Sequence, residues 1–303
     1  MRSTDYDAVI VGGSFAGLSA ALYLARARRR ICVLDTRRPR NRYSAHSHGL
    51  FGHDGHDPAS MLDTMRAQVS AYPSVELREQ AALDVSRDGA RFAVRLADGK
   101  AVSGARLLLS YGIVDRLPTL AGIAERWGKS VIHCPYCHGY EFSEQRLGVL
   151  LMSAMSVHQA QLITEWGPTT LFLDGQAIER DALATLERRG VTIESKRVVG
   201  LAGDAPRLEY VELADGRSVP IDALYIGPRY HFSSDIGEQL GCATETGPLG
   251  PVLKVDQTKA TTISGVYAAG DVTRMGHTIT FACADGVAAA LSIHHSLAFP
   301  EHV

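Results

Sequence analysis

The chain has 303 residues, of which 46% are hydrophobic and 21% charged, the balance of an ordinary globular protein of about two domains. Its formal net charge of −2 gives no support for a nucleic acid or an anionic membrane as a partner. No apolar run approaches the roughly 18 residues of a membrane span, and the polar start at 1–7 predicts no secretory signal peptide. Five cysteines do not make a secreted disulfide framework, so we expect a cytoplasmic protein.

The N-terminal segment predicts a strand, a turn, a helix and a second strand. Residues 8–11 form a short apolar run of the kind found in buried parallel strands, and 12–17 form a glycine-rich turn. Residues 18–30 indicate a helix, and 31–35 indicate a second buried strand that ends in Asp35. This order is typical of a βαβ unit.

The glycine turn fits the dinucleotide-binding fingerprint at two of its three glycine positions. Gly12 permits the tight turn and Gly17 permits close packing of helix on strand, whereas Ser14 stands where a glycine normally lets the backbone approach a pyrophosphate. With Gly13 inside the turn, we expect a diphosphate at the N-terminus of the helix. Asp35 follows where a carboxylate accepts the hydroxyls of the adenosine ribose, which argues against a bound 2′-phosphate.

A polar loop over 36–58 carries four histidines and precedes a predicted helix over 60–72. The histidines are open to three interpretations: a metal site, a loop that lies over a cofactor, and plain exposure to solvent, with the last two favoured. They are His46, His48, His53 and His56. Residues 75–110 predict short strands with a hairpin around 98–99, and 107–112 predict a buried strand that ends in a turn.

Cys134 and Cys137 form a C-x-x-C pair, whose sulfurs are close enough to form a disulfide and release it again. His133 and His138 flank the pair, and a histidine moves protons near neutral pH. A zinc site is the alternative, because cysteine and histidine are the usual ligands of tetrahedral zinc. Adjacent residues rarely ligate one ion with good geometry, and the sequence has no second C-x-x-C. We therefore predict a redox pair and no metal.

A second βαβ unit is predicted after the cysteine pair. A strand at 147–152 is followed by a helix over about 155–166 and a strand at 170–174. Further strands are expected within 191–226, and a glycine- and proline-rich stretch at 247–251 marks the return of the chain to the first domain.

The last predicted strand, over 266–271, ends in Gly270 and Asp271 and precedes a helix over about 280–297. A strand that ends in Gly-Asp can place its carboxylate against a ribitol hydroxyl of a flavin. The N–H groups of the following helix could face the pyrimidine end of a reduced flavin, where negative charge develops. Alone, Gly-Asp is a turn; together with the N-terminal fingerprint it indicates the second half of a split FAD domain.

The fingerprint, the C-x-x-C pair and the A-x-G-D motif at 268–271 resemble the low-molecular-weight thioredoxin reductases over nearly the whole chain. The resemblance implies an α/β fold of two Rossmann-like nucleotide-binding domains and a homodimer with FAD as cofactor. The FAD domain, 1–115 and 247–303, is expected to be split by a smaller NADPH-like domain, 116–246, that carries the cysteines. The implied FAD contacts are Gly12, Gly13, Ser14, Gly17, Asp35, Asn41, His48, Gly270 and Asp271.

The resemblance also assigns catalytic roles. Cys137 would exchange electrons with C4a of the flavin, and Cys134 would react with the substrate. Typical thioredoxin reductases have an aspartate directly after the second cysteine as acid and base; here His138 takes that place. The C-x-x-C-H sequence is closer to the dithiol oxidases that close disulfides in small natural products, and to other reductase-like flavoproteins.

Thioredoxin reductases carry a second glycine fingerprint for NADPH, and this sequence lacks it. Its three glycine positions hold Leu151, Ser153 and Ser156, so the backbone could not approach a pyrophosphate in the usual way. The basic pair that normally holds the 2′-phosphate is also missing, and Asp174 follows the next strand. We predict that the chain does not use NADPH efficiently; the alternative is that NADPH binds without these glycines.

The predicted function is FAD-dependent thiol–disulfide exchange, and its direction is open. A reductase would take electrons from a donor other than NADPH, such as ferredoxin, and reduce a thioredoxin-like protein. An oxidase would pass electrons from a small dithiol through the cysteines and FAD to molecular oxygen. The remaining alternatives are an ordinary NADPH-dependent thioredoxin reductase with a divergent site and a non-catalytic flavin redox sensor.

Overall fold

The computed structural model describes residues 5–300 and shows an α/β protein, as predicted. Its helices are α1 (Phe15–Arg26), α2 (Pro58–Ser70), α3 (Pro135–His138), α4 (Ala154–Ile163), α5 (Arg180–Arg188), α6 (Ile236–Gln239) and α7 (Ile279–Ala298). Short 3-10 helices cover Arg40–Tyr43, Tyr140–Phe142 and Gly270–Thr273. None of the helices within 5–300 combines the length and the apolar character that crossing a membrane requires.

The strands of the first half are β1 (Asp5–Val11), β2 (Ile31–Leu34), β3 (Val75–Arg78), β4 (Ala82–Asp88), β5 (Arg91–Leu96), β6 (Ala101–Leu109), β7 (Ile113–Arg116) and β8 (Val131–Ile132). Those of the middle are β9 (Leu147–Leu150), β10 (Thr169–Phe172), β11 (Thr192–Glu194), β12 (Val198–Ala202), β13 (Tyr210–Leu213), β14 (Ser218–Pro220) and β15 (Ala223–Tyr225). The last are β16 (Arg229–Phe232), β17 (Thr244–Thr246), β18 (Pro251–Leu253) and β19 (Val266–Ala268).

The chain divides into two compact units. The first contains the chain up to Arg42, Pro58–Val114 and the chain from Tyr230 onwards, and the second contains Tyr43–Asp57 and Asp115–Arg229. These units are defined by contacts, and the functional domain boundaries given above stay a prediction.

The first unit is built on a sheet of strand order β3-β2-β1-β6-β5-β4, with β19 paired to β6. β1 pairs in parallel with β2 and β6, and β19 is also parallel to β6. β2 and β19 are buried at every residue, which explains their continuous apolar sequence. Because the carboxyl ends of parallel strands share one edge of a sheet, the turns that follow β1, β2 and β19 lie at the same edge.

The second unit repeats the βαβ arrangement on a smaller scale. Its parallel sheet has the order β11-β10-β9-β15-β8, and α4 connects β9 to β10. An antiparallel sheet of β12, β13 and β14 accompanies it. The cysteine-bearing helix α3 follows β8 at the edge of the parallel sheet.

Two details of the secondary-structure prediction are corrected. The first helix spans Phe15–Arg26 instead of 18–30, and Arg28 takes a left-handed φ of 61° just after its end. Helix α5 escaped prediction although its apolar and charged residues follow helical spacing; it buries only Leu186. The predicted hairpin around 98–99 is confirmed, since β5 and β6 pair antiparallel across that turn.

Candidate active site

The glycine turn after β1 fits tightly between its neighbours. Gly12 has a φ of +109°, and a Cβ there would collide with the carbonyl oxygen of Ser110. A Cβ at Gly17 would collide with the carbonyl oxygen of Gly12, and one at Gly13 would lie 2.6 Å from Cβ of Asp35. Helix α1 begins after Ser14, whose side chain makes no capping hydrogen bond. The N-terminal N–H groups of α1 are therefore not capped by the Ser14 hydroxyl, as an anion site requires.

Asp35 lies against this turn, at the end of β2. Its Oδ2 accepts from Nη2 of Arg66 at 3.1 Å, and its Oδ1 accepts from the backbone N–H of Arg37 at 2.9 Å. A carboxylate has about four lone-pair sites, so Asp35 keeps capacity for ribose hydroxyls. The predicted pairing of the glycine turn with this carboxylate is present in the structure.

The Gly270–Asp271 turn packs on the N-terminal turn of α1, since a Cβ at Gly270 would lie 3.0 Å from Cβ of Ala16. Arg40 reaches this turn from the 3-10 helix that holds Asn41: its Nη1 lies 3.6 Å from Oδ2 of Asp271. The first unit therefore brings together the glycine turn, Asp35 and the Gly270–Asp271 turn. The glycine positions that a Cβ would obstruct fit a bound dinucleotide there; the roles of the individual residues stay a prediction.

A buried ion cluster supports the segment after this turn. Asp285 of α7 is only 3% exposed. Its carboxylate lies 2.6 Å from Nζ of Lys259 and accepts from Nε and Nη2 of Arg274 at 2.8 and 2.6 Å. Burial alone would raise the pKa of Asp285, but the hydrogen bonds from Arg274 and Lys259 outweigh it and hold the pKa below its usual value.

The C-x-x-C pair lies at the start of α3 and forms a disulfide. Both cysteines are half-buried, while Tyr136 between them is 74% exposed. Tyr136 packs edge-on against Trp166, with ring centroids 5.7 Å apart. The pair thus occupies an accessible position in the second unit, in the oxidised state of a redox couple.

The other three cysteines are thiols of a different kind. Burial raises the pKa of Cys32 to about 12, and it also raises the pKa of Cys242 and of Cys283. A thiol with a raised pKa is a poor nucleophile near neutral pH. Burial thus disfavours the thiolate form of these three cysteines, which lie outside the disulfide pair.

His138 follows the pair at the end of α3, and the loop Tyr43–Asp57 lies against it in the same unit. Its Nε2 is 3.4 Å from Oγ of Ser44, and its ring lies edge-on to that of His48 at 6.3 Å between centroids. Burial lowers the pKa of His138; the Glu141 carboxylate opposes this shift and the positive charge of His48 adds to it. His138 is thus set to be a neutral base at pH 7.

His48 is the one predicted cofactor contact that lies in the second unit. Its Nε2 is 3.3 Å from Oε1 of Glu141 and its Nδ1 is 3.5 Å from Oδ1 of Asp54. The other histidines of this loop, His46, His53 and His56, are exposed. Within residues 5–300 there is no group of three or more metal-ligating side chains that could hold an ion, and the zinc alternative finds no support.

The turn after β9 differs from the turn after β1 in the acceptor of its backbone N–H groups. Ser156 is 2% exposed, and its Oγ accepts from the backbone N–H groups of Met152 and Ser153 at 3.0 and 3.4 Å. A phosphate in a Rossmann turn would need such N–H groups. At this turn a side chain of the protein already satisfies them.

Side chains beyond β10 close the same turn from the other side. Nε2 of Gln176 donates to the carbonyl oxygen of Leu151 at 3.0 Å. Oδ1 of Asp174 accepts from the backbone N–H of Val198 at 2.8 Å. The two side chains that flank Gly175 after β10 are thus a carboxylate and an amide, each held by a backbone hydrogen bond.

Several contributors to the site were not predicted. Ser44 and Asp54 carry no local motif and precede the cysteines by some eighty to ninety positions, and Glu141 ends the C-x-x-C-H-G-Y-E sequence but was given no role. Asp285 had a readable signal, because it is an isolated charge within the apolar sequence of α7.

Comparison with known proteins places this geometry in a family. The model of the pyridine nucleotide-disulphide oxidoreductases matches residues 6–286. The thioredoxin reductase tcpT of Claviceps purpurea is 31% identical over 89% of this chain and 87% of its own length. An oxidoreductase from Agrobacterium tumefaciens is 41% identical with a TM-score of 0.93, covering 98% of this chain and 99% of its own. The crystal structure of HlmI is 37% identical with a TM-score of 0.94, covering 100% and 95%.

The family match spans most of the chain, and it includes both halves of the nucleotide site and the cysteine pair. The cofactor of this family in its thioredoxin-reductase-like branch is FAD, for which the glycine turn after β1 offers the fitting cradle. This chain belongs to the pyridine nucleotide-disulphide oxidoreductases and is a thioredoxin-reductase-like flavoenzyme.

Proposed function

We propose that this flavoenzyme exchanges electrons between the Cys134–Cys137 pair and FAD without efficient use of NADPH. The observation that carries the proposal is the second turn, where Ser156 accepts the N–H groups of Met152 and Ser153. Asp174 and Gln176 strengthen it, because these two side chains after β10 are a carboxylate and an amide instead of cations. A dinucleotide would have to displace these hydrogen bonds before it could bind there.

The bound flavin supplies a two-electron acceptor or donor; the remaining chemistry falls to side chains of this chain. We assign Cys134 as the thiol that reacts with the substrate and Cys137 as the thiol that faces the flavin. His138, neutral at pH 7 because burial lowers its pKa, takes a proton from an attacking thiol and returns one to a leaving thiolate.

The substrate we propose carries a dithiol or a disulfide. A relative of this chain is named a thioredoxin reductase, which favours a thioredoxin-like protein. A small dithiol is the second candidate, and the half-buried pair beside the exposed ring of Tyr136 favours it. In that case the reduced flavin would pass its electrons to molecular oxygen.

Anaerobic flavin spectroscopy tests the proposal. The purified flavoprotein is mixed in parallel with NADPH, NADH, dithiothreitol and reduced ferredoxin, and the flavin absorbance is followed. We expect rapid, stoichiometric bleaching by dithiothreitol and slow, incomplete bleaching by NADPH. Rapid bleaching by one equivalent of NADPH would contradict the proposal and would favour an ordinary NADPH-dependent thioredoxin reductase.

Air then decides the direction of electron flow. Reoxidation of the dithiol-reduced protein with formation of peroxide supports the oxidase, whereas bleaching by ferredoxin alone supports a ferredoxin-dependent reductase. The Cys134→Ser variant separates both from a redox sensor, because an enzyme loses its turnover and a sensor does not. Cys242→Ser is the matched control, since Cys242 is a buried thiol outside the pair.

We further propose a cytoplasmic homodimer. The dimer is what the thioredoxin reductases imply, and sedimentation of the flavin-loaded protein tests it. Fractionation of cells that produce the chain tests its location.

A further inference from the structure

The loop Tyr43–Asp57 forms a polar cluster beside the cysteine helix. Ser44 lies 3.4 Å from Nε2 of His138, and His48 lies 3.3 Å from Oε1 of Glu141. Glu141 belongs to the 3-10 helix Tyr140–Phe142, which directly follows α3. Residues far apart in sequence thus surround the base that serves the cysteines.

Ser44 selects the tautomer of His138. Its hydroxyl has one hydrogen, which it donates to the carbonyl oxygen of His46 at 2.9 Å. Toward Nε2 of His138 the same oxygen can only accept. Neutral His138 therefore carries its hydrogen on Nε2, and its Nδ1 is the nitrogen with the free lone pair.

The chemistry makes this base release protons as well as take them. In the proposed oxidation of a dithiol, the first substrate thiolate attacks Sγ of Cys134, and the Cys134–Cys137 bond breaks with its electron pair leaving on Cys137. The second substrate thiolate attacks the mixed disulfide and releases Cys134 as a thiolate. Each of the two substrate thiols gives up a proton, and a proton that His138 does not return to a leaving thiolate has to pass on before the base can take another.

We propose that His48 is a positioning residue in a proton exit from His138 to solvent. A proton enters at Nδ1 of His138, and the proton on Nε2 leaves toward the neighbouring Glu141–His48 pair. The rings of His138 and His48 lie edge-on with their centroids 6.3 Å apart, and Nε2 of His48 lies 3.3 Å from Oε1 of Glu141. From Nδ1 of His48 the proton passes to Asp54.

The exposure of the three side chains supports this direction. His48 is 21% exposed, Glu141 38% and Asp54 70%. The exit thus runs from a half-buried base through a half-buried histidine to an exposed carboxylate. Glu141 of the 3-10 helix and His48 of the loop are the titratable groups that act on His138, Asp54 lies beyond His48, and Ser44 is the uncharged neighbour of His138.

The test measures how the flavin is bleached by dithiothreitol, anaerobically, as pH and buffer concentration change. It rests on the proposed function. In His48→Gln we expect the rate in dilute buffer to fall about tenfold and to recover as imidazole is added, because a diffusing base replaces a relay. Asp54→Asn should show a smaller loss of the same kind.

His53→Gln is the matched control, since His53 is an exposed histidine of the same loop. Its rate should equal that of the unmodified protein at every buffer concentration. Thermal unfolding of each variant shows whether the loop still folds. A His48→Gln rate that matches the unmodified protein overturns the relay, and so does a loss that imidazole does not restore. If dithiothreitol fails to bleach even the unmodified protein, the proposed function itself is wrong.

Discussion

The turns after β1 and β9 both open a βαβ unit, but they differ in what happens to their backbone N–H groups. After β1, glycines let the backbone close tightly, and the hydroxyl of Ser14 does not cap α1. After β9, Ser156 occupies the position equivalent to Gly17 and accepts two backbone N–H groups of its own turn. The Ser14 hydroxyl thus leaves the N–H groups of the first turn available to an anion, while two N–H groups of the second turn donate to the hydroxyl of Ser156.

The difference teaches that a βαβ fold can be kept while the N–H groups of its turn change partners. The parallel strands and the connecting helix of the second unit need only apolar burial, which Ser156 does not disturb. A nucleotide site needs free donors, and in the second turn one buried hydroxyl accepts two of them. Fold and ligand therefore depend on different residues of the same turn.

The largest effect should come from closing the first turn. In Gly17→Ala the new Cβ would collide with the carbonyl oxygen of Gly12 and push α1 from the sheet. We expect the purified variant to hold little or no flavin, as measured by the ratio of flavin absorbance to protein absorbance. Gly276→Ala is the control, because a Cβ there meets no atom within 4 Å. Full flavin content in Gly17→Ala would contradict the role given to this turn.

The ion cluster behind Asp271 should matter next, because the second turn has no such support. Asp285→Asn leaves Lys259 and Arg274 without their buried carboxylate, and the free energy of unfolding should fall by about 3 kcal/mol. Denaturant titration measures it. Since the pKa of Asp285 is lowered in the folded state, its stabilisation is full above the usual carboxyl pKa and is lost as the pH falls through the folded value.

Asp285→Asn should therefore lose stability less steeply on acidification than the unmodified protein does. Asp98→Asn serves as the comparison, because the exposed Lys100 is the salt-bridge partner of Asp98. Equal acid dependence in Asp285→Asn and the unmodified protein would show that the cluster is not the source.

His138 tests the proposed acid–base chemistry of the second unit. His138→Gln should slow the bleaching of flavin by dithiothreitol roughly 100-fold, because the proton acceptor is gone. Since burial lowers the pKa of His138, the unmodified rate should stay level as the pH falls and drop only below about pH 6.5. Stopped-flow measurements across this range check both points. A drop that persists in His138→Gln would assign it to another group.

The smallest effect is expected from changing Ser156 in the turn after β9. Ser156→Gly removes the acceptor of two N–H groups, and the free energy of unfolding should fall by about 1 kcal/mol. NADPH should restore part of the thermal stability of this variant, because the freed N–H groups can donate to a phosphate. Ser156→Ala keeps the Cβ and should gain less from NADPH. No loss of stability in either variant would mean that the hydroxyl does not hold the turn.

The architecture was readable in the sequence because it rests on local patterns. Buried parallel strands such as β2 and β19 are continuous apolar runs, and the glycine turn announces the βαβ unit. The C-x-x-C motif likewise gave the position of the redox pair. Helix α5 was missed although its sequence is amphipathic, with Leu183 and Leu186 at helical spacing among charged residues.

The surroundings of the base were not readable, because they are made by long-range contacts. The sequence gives no reason for Ser44 to meet His138 or for His48 to meet Glu141. Ser156 was read only as a missing glycine. That its hydroxyl actively takes the N–H groups of the turn depends on a rotamer, which sequence alone does not specify.

The placement of Tyr43–Asp57 in the second unit has a consequence for how this protein can be divided. The polypeptide passes between the units at Arg42, Asp57, Val114 and Arg229, so the second unit consists of two separate stretches of chain. A fragment cut at 115 and 229 would keep the disulfide but lose the serine, the histidine and the aspartate that accompany its base. A chimera with a relative should therefore exchange Tyr43–Asp57 together with Asp115–Arg229, since the shorter stretch carries side chains that surround the proposed base in the longer one.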